Sequence, residues 1–250
     1  MRKKIILILL LIPFLCVQGA VSRHRYGKKQ KRIVIKTDKP RIIKGKLADT
    51  IWQLANSKQR KILQSSSLHS VKYNAFKMFD QNFSTCWAEG SKGFGKGDWV
   101  IFSSTAIFWI YNGMWRSKAL FYANNRVRKM KLSFYGVFAR SRDVYDSIAK
   151  RFKTKRILFK NVYLLSETVV NLPDGIYPIE IDKQHNPIPF EISPDNKELP
   201  YDKWANDGYL FCRLEILDVY PGTKYNDTCI SEILFGRFRP LSPESSNYVY

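Results

Sequence analysis

The side chains able to do chemistry are few and scattered. Three histidines, His24, His69 and His185, stand far apart, and Cys16, Cys86, Cys212 and Cys229 form no CxxC pair and no Cys/His cluster with zinc spacing. No Gly-x-Ser-x-Gly elbow and no HExxH occurs. Gly90, Gly93, Gly95 and Gly97 lack the spacing of a phosphate loop, and no helical pattern follows them. They suit a loop that turns tightly before Trp99. Acid–base hydrolysis needs two carboxylates held in a cleft; Glu89, Asp98 and Glu232 are available, and each has a structural reading. One short segment is dense in oxygen: FDQNFSTCW carries Asp80, Asn82, Ser84 and Thr85. Such a run suits Asx-turn bonds, or a hard cation that takes six to eight oxygens, several from main-chain carbonyls.

The rest of the chain must position these groups. Of 250 residues, 45% are hydrophobic and 14% aromatic, enough for a core and too many for wholesale disorder. The formal net charge of +21 is uneven. Residues 1–61 hold 17 Lys/Arg against 2 Asp/Glu, and residues 62–250 hold 25 against 19. The remainder is only mildly basic, which argues against specific nucleic-acid binding, since that needs a concentrated basic face. Residues 1–19 read as a signal peptide: Arg2, Lys3 and Lys4, an apolar run from Ile5 to Leu15, then Val17 and Gly19 before a cut at Ala20. Export to a periplasm or out of the cell is the expectation. Leu15 before Cys16 is a poor lipobox, so a lipoprotein is the lesser alternative. Residues 20–61 read as a basic arm or linker, a solubilising leader or a contact for an anionic surface, with a short helix over 49–63.

From residue 62 to 238 short apolar or alternating runs recur, among them WVIFSSTAIFWIYNG, RKMKLSFYGVF, RILFKNVYLL, YLFCRLEILDVY and CISEILFG. They are rich in β-branched and aromatic residues and separated by Gly, Pro, Asn, Asp and Ser. This predicts an all-β antiparallel sandwich or jelly roll, with 239–250 as a tail. Residues 140–160 and 171–208 read as elaborated loops, the second able to form an extra hairpin. Trp87, Trp99 and Trp109 are expected in or beside the core.

Two segments are more specific. NAFKMFDQNFSTCWAEGSKGFGKGDWVIF, residues 74–102, and LEILDVYPGTKYNDTCISEILFG, residues 214–236, resemble the discoidin-like, galactose-binding-like jelly rolls, the coagulation-factor C-type domains. More narrowly they resemble the NADase-type glycan-binding domain family, as does IYNGMWRSKALFYANNRVRKMKL between them. The likeness covers roughly 65–237 and departs at 140–208, which is longer than the family's middle. The NAD-glycohydrolase activity associated with that family lies in a separate domain, so the resemblance implies no catalytic residue and no enzyme here.

The resemblance implies a structural calcium held by Asp80, Asn82, Thr85 and Glu232 with carbonyls near Lys77 and Cys229. Cys86 and Cys229 sit in the two segments that should touch and are the candidate disulfide. It would close a loop of more than a hundred residues, worth about 3–4 kcal/mol in the chain-entropy picture. Cys212 reads as a small core residue. The function implied is non-catalytic recognition of a glycan. Sugars need a flat aromatic face and planar hydrogen-bonding groups. Glu89, Asn112, Trp115, Arg116, Lys118, Tyr122, Asn125, Arg126, Tyr225 and Asp227 fall where loops would supply them, with Trp115 the exposed ring and Asn125 and Arg126 the polar wall. For each, a structural role is the alternative, including an Arg126 pair with Asp227 or Glu89. The rival function is an envelope scaffold or adhesin that binds protein or anionic lipid through the same loops and the basic arm.

Overall fold

The computed structural model describes residues 31–36, 38–57, 62–176, 179–183 and 205–236. The expected signal peptide and C-terminal tail lie outside them.

The strands are β1 (Lys31–Ile35), β2 (Arg41–Ile43), β3 (Ile62–Gln64), β4 (Trp87–Ala88), β5 (Trp99–Ser103), β6 (Ile107–Asn112), β7 (Asn125–Asp146), β8 (Arg151–Asn171), β9 (Ile179–Lys183), β10 (Ala205–Tyr220) and β11 (Thr228–Phe235). Two helices interrupt them, α1 (Lys46–Asn56) and α2 (Lys118–Ala123), with a 3-10 turn at Ala75–Phe79. The sheet order is β1-β9-β6-β11-β7-β10-β5-β3, with β8 and β2 continuing from β7 and β4 attached to β11. Pairing is antiparallel except β1 with β9 and the short meeting of β11 with β7.

The near-continuous apolar runs follow from burial on both faces, since a strand covered on one side only would alternate. Val100, Phe102, Met130, Leu132, Phe134, Cys212, Leu214 and Ile216 enter the main core with Trp87, Phe108, Ile110 and Ile230. Their neighbours Ile101, Tyr135, Val137, Val162, Leu164 and Phe211 face the other way and are covered by Ala48, Ile51, Leu54 and Ala55 of α1. The run WVIFSSTAIFWIYNG breaks at Ser104–Thr105 and sends its halves to different neighbours: β5 joins β10 and β3, while β6 joins β11 and β9.

Two expectations are corrected. Residues 31–56 are not a solvated leader, because β1 pairs with β9, β2 with β8, and α1 closes the second core. The helix starts at Lys46 and stops before Ser57, whose backbone is extended. Residues 140–160 are not a loop either. They are the outer half of a long β7–β8 hairpin, in register from Ala139↔Leu158 to Asp146↔Arg151. Within the other expected loop, β9 is the extra strand, taken up between β1 and β6.

Candidate functional site

The two signature segments meet. Cys229 and Ile230 of β11 pair with Ala88 and Trp87 of β4, and Glu232 is opposite Tyr111 on β6. Beside them, the oxygen-rich turn is held by its own side chains. Asp80 Oδ1 accepts from Asn82 N at 3.0 Å and Asn82 Oδ1 from Ser84 N at 3.0 Å. Thr85 Oγ1 donates to Asp80 at 2.9 Å, and Lys77 Nζ lies 3.5 Å from the same carboxylate.

Glu232 projects from β11 against this turn and is fully buried. Neither of its oxygens makes a well-formed hydrogen bond, although the backbone amides of Gln81, Asn82 and Ile233 lie near it, and the neighbouring Tyr111 hydroxyl has no partner. Burial, with the Asp80 charge adding to it, raises the Glu232 carboxyl to about 8; the backbone amides of Asn82, Ile233 and Gln81 only moderate the shift. Burial and the Glu232 charge push the Tyr111 phenol up as well. Phe83, Tyr111 and Trp115 stack around the place, with centroids 4.7 Å apart for Phe83–Tyr111 and for Tyr111–Trp115. Among the described residues no three His, Cys, Asp or Glu side chains gather as a metal site. A cation here would draw on two carboxylates, a hydroxyl, an amide oxygen and main-chain carbonyls. That is a calcium-like donor set, and a buried carboxylate without a well-formed hydrogen bond fits it.

The residues expected to form a sugar-binding wall divide in two. Four are committed inside the protein. Asn112 donates to Val127 O at 2.8 Å and accepts from Val127 N at 2.9 Å. Asn125 accepts from Gly222 N at 2.6 Å and donates to Asn226 O. Glu89 accepts from Thr228 N at 3.2 Å and Ser91 N at 2.8 Å, and burial raises its carboxyl more than these bonds lower it. Arg126 is buried among the rings of Phe121, Tyr122 and Tyr220. It bonds Asp174 in a fork at 2.9 and 3.0 Å and the carbonyl of Asn124 at 3.0 Å. Its partner is therefore Asp174, neither Asp227 nor Glu89. Asp227 is half-buried, with its carboxyl raised by burial, and its carbonyl accepts from Asn125 N at 3.0 Å.

The others reach the surface. Ser117 caps α2 by accepting from Leu120 N at 3.1 Å, which leaves Arg116 and Lys118 exposed. Trp115 is half-buried, its Nε1 donating to Asn112 O at 2.8 Å. Tyr122 is 40% and Tyr225 38% exposed. Backbone bonds bring them onto one ledge: Thr223 N donates to Tyr122 O at 3.0 Å and Tyr225 N to Ala123 O at 2.8 Å. The ledge depends on two close approaches. A Cβ on Gly222 would meet Ala123 O at 2.4 Å, and one on Gly113, at φ +87°, would meet Phe121 at 2.8 Å. Asp174 is the residue that reading the sequence missed; it lies beyond β8 in a stretch whose only signal was Pro, Asp and Asn content.

Cys86 and Cys229 are neighbouring buried thiols in a small cluster with Ala88 and Met114. Contact with Cys86, then burial, pushes the Cys229 thiol well up. Cys212 is a buried thiol in the main core, as its apolar strand suggested.

The family model described as NAD glycohydrolase translocation F5/8 type C domain matches residues 54–236, from the last turn of α1 to the end of β11. No curated protein matches. Among solved structures, the arabinofuranosyltransferase AftD from mycobacteria is similar at 13% identity and a TM-score of 0.37, covering 69% of this chain. A mutant of the same enzyme gives 13% and 0.36. The chain spans about a tenth of those proteins. With the matched segments joined across β4, β6 and β11, the chain belongs to the NAD glycohydrolase translocation F5/8 type C domain family and has that family's discoidin-like β-sandwich jelly roll.

Proposed function

We propose that this is an exported, non-catalytic recognition protein that binds a glycan on the α2 ledge. Discoidin-like domains commonly bind carbohydrates, and one observation carries the reading here: Tyr122 and Tyr225, far apart in sequence, share an exposed ledge with Arg116 and Lys118 nearby in the chain. Half-exposed rings offer a face to sugar C–H groups, and the cations and Trp115 rim supply polar and apolar edges. Asn112, Asn125, Arg126 and Glu89 act as positioning residues that fix the loops. A glycan array with the full chain tests this. Retained ligands should lose at least about tenfold in affinity with Tyr225→Ala or Trp115→Ala. A folded sample that retains no glycan removes the proposal, and turnover of a glycoside or NAD removes its non-catalytic part.

The proposal includes a structural calcium held by Asp80, Asn82, Thr85 and Glu232, and a Cys86–Cys229 bridge in an oxidising compartment. Both would tie the first signature segment to the last. The rival reading, adhesion to an anionic surface, draws on Arg116, Lys118 and Lys224. Salt separates the two: adhesion through cations should collapse with ionic strength, and hydrogen-bonded sugar binding should persist.

A further inference from the structure

Two lysine–tyrosine pairs stand side by side on the α2 ledge. Lys118 and Tyr122, four residues apart in α2, share one side of the helix. In the facing loop Lys224 Nζ lies 5.2 Å from the centroid of the Tyr225 ring. Backbone bonds lock loop to helix: Thr223 N and Oγ1 donate to Tyr122 O at 3.0 and 3.3 Å, and Lys224 N and Tyr225 N donate to Ala123 O at 3.1 and 2.8 Å. Both lysines are exposed, and so is Arg116 just before the helix.

Among the described residues none of these three cations has an ion-pair partner. Asp174 is taken by Arg126 and Asp218 by Lys96 and Arg128, while Asp227 is half-buried. The exposed charge on the ledge is therefore positive, and lysine and arginine are donors only. A neutral sugar offers hydroxyls that want acceptors as well as donors. Here the exposed side-chain acceptors are uncharged, among them Thr223 and Asn226, so the ligand must bring the negative charge. It must also be flat. The large apolar side chains exposed on the ledge are the two tyrosines, with no aliphatic wedge for a bilayer. Two pairs also make no continuous basic groove of the kind that tracks a single-stranded nucleic acid.

We propose that the ledge selects an acidic saccharide, a chain containing hexuronic acid residues, with sugar rings laid on Tyr122 and Tyr225 and carboxylates met by Lys118 and Lys224. The inference rests on the glycan reading above and narrows it from carbohydrates in general to those with a carboxylate on the ring. A uronate carries its charge at the edge of the same ring whose C–H face an aromatic side chain covers. A cation beside each tyrosine serves both parts at once. Arg116 extends the positive rim.

Calorimetry of the full chain tests it with oligomers of galacturonate, hyaluronan and alginate, each beside its carboxyl methyl ester, which keeps the sugar and removes the charge. At least one acid oligomer should bind, and its ester about tenfold more weakly, since an exposed ion pair is worth up to about fivefold and two are involved. Lys118→Gln with Lys224→Gln should erase the preference for acid over ester. Lys44→Gln with Lys46→Gln, which removes the same charge from exposed positions at the start of α1, should keep it. Unchanged melting temperatures establish that the variants fold. Acid and ester bound equally, or only neutral glycans retained, would overturn this inference and leave the glycan reading standing. No glycan retained would remove both. A single-stranded oligonucleotide or phosphatidylglycerol vesicles bound as tightly as the uronate would also overturn it, since any polyanion would then suffice.

Discussion

Glu232 is the residue with the sharpest consequence. With no cation at the proposed calcium site, burial keeps this carboxyl protonated up to about pH 8 in the folded protein, while the unfolded chain releases the proton near its ordinary value of 4.5. The native state binds more protons across that window. Its stability is therefore fully present below pH 4.5, declines as pH rises, and has lost on the order of 5 kcal/mol once pH passes 8. Chelated protein should melt progressively lower across this range, and calcium should restore the melting temperature most strongly at the alkaline end. Glu232→Gln should flatten the pH profile and abolish the calcium response. A chelated wild type whose melting temperature rises with pH would contradict the orphaned carboxylate. Arg126 makes a second residue-scale prediction. Asp174→Ala leaves a buried guanidinium short of its carboxylate and should cost about 2–3 kcal/mol in denaturant unfolding. Tyr225→Ala should leave stability within about 0.5 kcal/mol and act on glycan affinity alone. The sequence pointed to the right polar residues at the strand ends, yet an asparagine that bonds backbone is spelled like one that bonds a ligand. Only the ladder shows Asn112 closed on Val127 and Asn125 closed on Gly222.

At the scale of elements, α1 decides where the folding unit begins. Without it, Ile101, Tyr135, Val137, Val162, Leu164 and Phe211 would face water. A chain starting at residue 62 should aggregate or bind a hydrophobic dye, and Ile51→Ala in the full chain should cost about 2–4 kcal/mol. A short helix was legible over 49–63, overlapping α1. Its start was not, because no side chain caps it and Gly45, at φ +82°, makes the turn instead. The outer hairpin was illegible for a different reason. Residues 140–146 and 151–157 mix cations, acids and apolar residues with no apolar–polar alternation, so the period-two signal is silent in hydropathy.

Across the whole molecule, the jelly roll and the contact between its first and last signature segments were readable because both rest on long ordered motifs. Oxidation of Cys86 with Cys229 would tether segments more than a hundred residues apart. Oxidised protein should therefore resist denaturant by about 3–4 kcal/mol more than reduced protein, and Cys86→Ser should erase the difference. An unchanged midpoint on reduction, with mapping that finds Cys86 unbridged after oxidation, would exclude the tether.

The strand order carries a further consequence for biogenesis. β11, the last of the described strands, lies in the interior of the sheet between β6 and β7, and β1 finds its mate only at β9. A ribosome delivering this polypeptide from its amino end cannot release a finished half: the central gap stays open until residues 228–235 emerge. The earlier strands therefore cannot complete their sheet before the last described strand is made.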